Sequence, residues 1–214
     1  MKTSFLFFTC LVAAAEPEYF SPQALAALPG GKQLYIALGT ANKIAVYEIA
    51  AGRITSAVSV PGEPTGVVAA RESIYATCDG AAGAVAVIES GSIVRRIPVG
   101  PGPRAPALAP DGKTLYVANR FGDSVSIVDL DKGAETVRIP LPREPYATAL
   151  TPDGKLLLAA THLPAGPATA EVVASEVCFI DVKARRLERC IPLANGSSQS
   201  DTSSEREYSD PTQT

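Results

Sequence analysis

The 214-residue chain is 46% hydrophobic and carries a formal net charge of −3 at neutral pH. This hydrophobic content excludes a wholly disordered chain, and the acidic balance argues against nonspecific electrostatic binding to nucleic acid. Val, Ile, Ala and Leu dominate, with 17 Gly, 18 Pro and no Trp. β-Branched residues interrupted by Gly and Pro favour many short strands joined by tight turns.

The first fifteen residues have the order of features that is typical of an export signal. Lys2 gives a positive start, an apolar run follows from Phe5 to Val12, and three alanines precede Glu16. The run is shorter than the roughly 20 residues that span a bilayer, so we expect no transmembrane anchor. The pattern predicts a signal peptide (1–15) cleaved near Ala15 and a periplasmic or extracellular protein. The alternative is a buried strand or helix.

The rest of the chain repeats one unit four times. The segment 28–49 aligns with 109–130, residues 151–162 repeat the same opening, and 69–90 is a more divergent copy without the Pro-Asp-Gly turn. The equivalent positions Leu34, Ile74, Leu115 and Leu157 are 40, 41 and 42 residues apart. A regular spacing of this size indicates a repeat architecture.

Each unit divides into four short strands. In the third unit these are 105–109, 114–119, 124–130 and 136–141, with a hairpin turn at Pro110-Asp111-Gly112-Lys113 and another at 131–133. Four antiparallel strands in about 40 residues are typical of a β-propeller blade. We therefore predict an all-β β-propeller (16–194) with blades at about 21–61, 62–101, 102–142 and 143–194. The alternative is an all-β solenoid or sandwich.

The third unit, "PDGKTLYVANRFGDSVSIVDL", followed by "IPLPREPYATALTPDGK", resembles the YVTN β-propeller repeat family. The resemblance extends over about residues 21–199 and is weakest in the second unit. It implies an exported propeller of a superfamily that includes lactonase-like enzymes and quinoprotein dehydrogenases. Some relatives precede a di-haem peroxidase domain, so a haem-containing oxidoreductase is a candidate partner.

The chain departs from this family in blade number and at its C-terminal end. Four blades make a small ring, and residues 195–214 change abruptly to Ser, Thr, Asp and Glu, a composition that predicts a disordered polar tail. We expect a truncated, incomplete ring with an exposed blade face at each end, where self-association is a hazard. A dimer that completes an eight-bladed ring is the alternative.

Alternating strand directions place three arginines and the single histidine on one rim of the propeller. Arg104, Arg120 and Arg143 lie in loops that share this rim, with His162 nearby. Guanidinium groups suit carboxylate and phosphate ligands, so these four residues are the predicted ligand-binding set. The alternative is a set of solvated loop charges interleaved with Asp and Glu.

No motif for catalysis, metal or cofactor binding is found in the sequence. His162 has no second histidine to share a zinc ion, no Gly-x-Ser-x-Gly elbow is present, and the absence of Cys-x-x-Cys-His predicts no covalent haem. We expect no catalytic residue, no metal and no cofactor. The predicted function is a non-catalytic scaffold for a protein or small-molecule partner; the alternative is a lactonase-like or quinoprotein-like enzyme, and nucleic-acid binding is disfavoured.

Two further features concern the fourth unit. Cys178 and Cys190 are equidistant from a turn near 184, so a cross-strand disulfide is geometrically possible. The alternative is two buried thiols, and Cys78 would stay free.

Residues 161–177 contain a ten-residue insertion relative to the third unit. Insertions in loops on a rigid scaffold often carry binding specificity, which makes this a candidate binding loop.

Overall fold

The computed structural model describes residues 20–28, 30–70, 72–163 and 175–193. The predicted signal peptide (1–15), the predicted polar tail (195–214) and most of the insertion in 161–177 lie outside these ranges. The described residues form four separate four-stranded antiparallel sheets, which confirms the predicted all-β propeller blades. The only helical segment among them is a three-residue 3-10 turn, Arg120–Gly122, so none of these residues forms a helix suited to crossing a membrane.

Each sheet is a meander in which consecutive strands pair. The first blade consists of β1 (Pro22–Ala27), β2 (Gln33–Leu38), β3 (Lys43–Glu48) and β4 (Arg53–Ser59). The second consists of β5 (Glu63–Ala70), β6 (Ser73–Asp79), β7 (Ala84–Glu89) and β8 (Ser92–Pro98). The third consists of β9 (Pro103–Leu108), β10 (Thr114–Asn119), β11 (Ser124–Asp129) and β12 (Ala134–Pro140). The fourth consists of β13 (Pro145–Leu150), β14 (Leu156–Thr161), β15 (Glu176–Asp181) and β16 (Arg186–Pro192).

The Asp-Gly turns form as their chemistry requires. Between β9 and β10, one carboxylate oxygen of Asp111 accepts hydrogen bonds from the Lys113 and Thr114 amides, and Gly112 adopts a φ of 68°. The fourth blade repeats this turn, where Asp153 accepts from the Lys155 amide. An aspartate that bonds the backbone two residues ahead, followed by a glycine at positive φ, fixes a tight reversal. The turns therefore set where each hairpin closes.

The blades pack face to face and share three apolar clusters. Ile44, Val67 and Ile74 lie in the cluster between the first and second blades. Val85 and Val117 lie between the second and third, and Ile127 and Ile180 lie between the third and fourth. Strands of the two middle blades are buried on both faces, whereas β14 and β15 of the fourth blade alternate between buried and partly exposed residues. A strand covered on both faces needs no polar side, which explains the continuous apolar runs of the middle blades.

One end of the propeller, here named the rim face, collects two kinds of loop. The loops between the second and third strands of a blade (39–42, 80–83, 120–123) lie beside those that lead into the next blade (60–62, 99–102, 141–144). Backbone hydrogen bonds tie them together, from Val60 to Asn42, from Val99 to Gly83 and from Leu141 to Asp123, at 2.8 to 3.0 Å. The predicted loop grouping is thus present in the structure.

Candidate functional site

A proline stands near the start of the innermost strand of every blade, and the residue after it interrupts the regular pairing in three of them. The prolines are Pro22, Pro64, Pro103 and Pro145, and the residues that follow them are Gln23, Thr65, Arg104 and Tyr146. In β9 the irregularity comes after Arg104, where Ala105 has a φ of 45°. A bulge redirects side chains out of the regular alternation of a strand. Three bulged residues, Gln23, Thr65 and Tyr146, and Arg104 at the equivalent position of β9 therefore lie at the rim end of the innermost strands.

Two of these side chains belong to a cluster that joins the third and fourth blades. This rim cluster consists of Arg104, Arg120, Glu144, Tyr146 and His162. The guanidinium carbon of Arg104 lies 3.8 Å from the centre of the Tyr146 ring, and the His162 ring stacks on the same tyrosine with centres 4.9 Å apart. Stacked aromatic rings and a cation over a ring face are both favourable contacts. The side chains of Arg104, Tyr146 and His162 therefore contact one another across the two blades.

Arg120 holds the acidic and imidazole groups of the rim cluster together. Its Nε donates to Glu144 Oε2 at 3.0 Å, in a pair that is half-buried, and its terminal nitrogen lies 3.4 Å from His162 Nδ1. The distance from His162 Nδ1 to the same Glu144 oxygen is 3.8 Å. Arg120 is thus neutralised within the protein, whereas the only contact described for the Arg104 guanidinium, among the residues that the structure describes, is the Tyr146 ring.

The backbone fixes each member of the rim cluster in place. The Arg120 amide donates to the carbonyl of Gly102 at 2.8 Å, and the His162 amide donates to the carbonyl of Glu144 at 2.8 Å. The Glu144 amide in turn donates to a carboxylate oxygen of Asp123 at 2.7 Å. These bonds join neighbouring loops. They therefore fix the backbone positions of Arg120, Glu144 and His162 relative to one another.

A pocket of about 200 Å³ lies next to the rim cluster on the same face. The polar residues that line it come from three blades: Gln23, Glu63, Thr65, Asp79, Arg104 and Arg120. The Thr65 hydroxyl donates to the Pro103 carbonyl, which joins the second and third innermost strands at the pocket. We call this the interblade pocket.

The four predicted ligand-binding residues are placed as follows. Arg104, Arg120 and His162 all lie in the rim cluster. Arg104 contacts the Tyr146 ring, and Arg120 contacts both His162 and Glu144. Arg143 is exposed in the loop before β13 and is not needed for the contacts described above. Sequence reasoning missed Tyr146, although its position directly after Pro145 matches that of Arg104 after Pro103 and could have identified it.

The cysteines fall into two classes. β15 and β16 pair Cys178 with Cys190 across the hairpin, and their sulfur atoms are 2.00 Å apart, a disulfide distance. Cys78 is buried and free. The group of metal-ligating side chains found within the described ranges is Glu176 with Cys178 and Cys190, in which the bonded cysteines offer no thiolates.

Comparisons with known proteins support the architecture. No family model and no curated protein matches the chain. Among solved structures, hydrazine synthase from Kuenenia stuttgartiensis superimposes with a TM-score of 0.75 at 20% sequence identity, over 86% of this chain. The match covers 52% of the hydrazine synthase chain, so this protein spans about half the length of that one. At this identity the likeness shows the shared fold.

Proposed function

We propose that the protein is an exported, non-catalytic β-propeller scaffold of the YVTN-repeat type that binds a protein or small-molecule partner through its rim face. The observation that carries this proposal is the rim cluster, in which two arginines, an aromatic ring and an imidazole form one surface. The N-terminal sequence supports export, and the repeat motif supports the family.

The chemistry of the rim cluster favours a partner that presents a planar anion. A guanidinium offers several N–H donors in a flat fork that matches a carboxylate. Arg104 is half-buried against Tyr146, with its fork unused by any acceptor among the described residues. Partial burial strengthens an ion pair with a ligand because less of the interaction is screened by water. Arg104 is therefore the main anion-binding group, and Arg120, Glu144 and His162 support it.

Binding of benzoate tests this function, because benzoate presents a planar carboxylate that matches the unused guanidinium fork of Arg104. We expect saturable binding by isothermal titration calorimetry that weakens as salt is added. Arg104→Gln should weaken it about tenfold or more, since a hydrogen-bonded charge pair is lost. Arg53→Gln removes the same charge from β4, at the opposite end of the propeller, and should leave binding unchanged.

Two results would overturn the proposal. One is benzoate binding that is absent, or that is equal in the two arginine variants. The other is hydrolysis of a lactone by the purified protein at enzyme-like rates that His162→Gln abolishes, which would establish the enzyme alternative. Circular dichroism of each variant verifies that the blades remain folded.

A further inference from the structure

The interblade pocket contains charges of both signs that come from different blades. Glu63, the first residue of β5, pairs with Asp79, the last residue of β6, so the second blade supplies two neighbouring carboxylates, while Arg104 and Arg120 supply two guanidiniums from the third. Within the described residues, no ion pair links either carboxylate to either guanidinium. The pocket is therefore lined by positive and negative groups that form no ion pair with one another among the described residues.

The other contacts of these four residues leave Glu63 and Arg104 as the groups most available to a ligand. Arg120 is paired with Glu144, and an oxygen of Asp79 accepts a hydrogen bond from the Gly80 amide at 2.9 Å. For the Glu63 carboxylate, no hydrogen bond or ion pair is described in the ranges that the structure covers, and Arg104 contacts the Tyr146 ring. One carboxylate and one guanidinium without a described ion-pair partner thus line the same pocket.

Electrostatics then selects the ligand class. A simple anion gains from Arg104 but is repelled by Glu63 and Asp79, and a simple cation meets the reverse situation. A molecule that carries both charges gains from both sets of groups. The volume of about 200 Å³ is below the range of pockets that hold drug-sized ligands, which indicates a small molecule.

We infer that the interblade pocket binds a small zwitterion of the α-amino acid class. Its carboxylate binds Arg104, its ammonium group binds Glu63 with Asp79 beside it, and the Thr65 and Gln23 side chains offer neutral hydrogen-bonding groups nearby. Phe121, which is 60% exposed and lines this pocket, gives an apolar wall for the ligand side chain. This inference rests on the proposed function, because it uses the same rim face and the same Arg104.

Three related probes separate the two charges. L-Alanine carries both groups, propionate carries the carboxylate alone, and ethylamine carries the amine alone. At pH 7 we expect saturable binding of alanine by calorimetry, with propionate and ethylamine each bound at least tenfold more weakly. Propionate or ethylamine binding as tightly as alanine, or no saturable binding of alanine, would overturn the inference.

A carboxylate variant distinguishes this inference from the proposed function. Glu63→Gln should weaken alanine binding about tenfold or more and leave benzoate binding undiminished, because benzoate carries no ammonium group. Glu188→Gln, which changes an exposed glutamate on β16, is the matched control and should alter neither. If benzoate binds through Arg104 while alanine does not bind, only the inference fails. If benzoate does not bind either, the proposed function fails with it.

Discussion

Cys78 shows how strongly the packing of β6 controls a single side chain. It is fully buried between the first and second blades, and its Sγ lies 3.6 Å from the Ala76 carbonyl oxygen. Burial raises the pKa of the Cys78 thiol to about 11, because a thiolate would lose its hydration there. The thiol is therefore neutral at physiological pH and differs from a reactive cysteine, whose pKa is depressed.

The raised pKa makes stability depend on pH in alkaline solution. The unfolded chain releases the Cys78 proton near the ordinary value of 9.0, whereas the folded chain keeps it until about 11. The contribution is fully present below pH 9 and is lost as the pH rises towards 11, by about 2 kcal/mol at pH 10.5. Urea unfolding from pH 8 to 10.5 should show this loss, and Cys78→Ala should show a flatter profile. Parallel pH profiles for the two proteins would contradict the prediction.

At the scale of elements, two rim loops, 80–83 and 99–102, approach each other so closely that Gly83 has no room for a side chain. A Cβ built on Gly83, in the loop between β6 and β7, would lie 2.0 Å from the Gly100 carbonyl oxygen. Gly80 lies in the same loop, and its Cβ would meet no atom nearer than 3.9 Å. A Cβ on Gly83 would collide with a backbone atom, which cannot rotate away as a flexible side chain can.

We predict that Gly83→Ala destabilises the protein by about 2 kcal/mol or more, because the two loops must separate to admit the methyl group. Gly80→Ala is the matched control and should change the free energy of unfolding by less than about 0.5 kcal/mol. Urea denaturation of both variants measures the difference. Equal stability of the two variants would show that the loops are not held at this distance.

The strands could be predicted from the sequence because their information is local. Asp111-Gly112 and the apolar runs on either side of it define a hairpin without reference to the rest of the chain. Tyr146 could not be placed in the same way, since a residue in "YATAL" has the pattern of an ordinary strand. Its role depends on the bulge after Pro145 and on the approach of His162 from the next loop, and neither follows from periodicity.

At the scale of the whole molecule, each of the two middle blades packs against a neighbouring blade on both faces, whereas each outer blade does so on one face within the ranges that the structure describes. Among the described residues, apolar clusters occupy three blade interfaces, and none joins the fourth blade to the first. Leu25 on β1 pairs with Ile36, just as Val67 on β5 pairs with Ala76 at the equivalent position of the repeat. Val67 is only 7% exposed in the first interface, whereas Leu25 is 64% exposed. The first blade therefore presents a face that the repeat normally covers with a neighbour.

We predict that the protein self-associates through this face at high concentration, because apolar blade faces pack against each other within the chain. Leu25→Glu should raise the dissociation constant about tenfold or more, since it removes an apolar contact and adds a charge that would be buried. Val94→Glu is the control, because Val94 is 56% exposed on β8, the outermost strand of the second blade, and belongs to neither apolar cluster of that blade. Sedimentation velocity over a range of concentrations measures both. A protein that stays monomeric throughout, or that responds equally to both substitutions, would show that the first-blade face is not the contact.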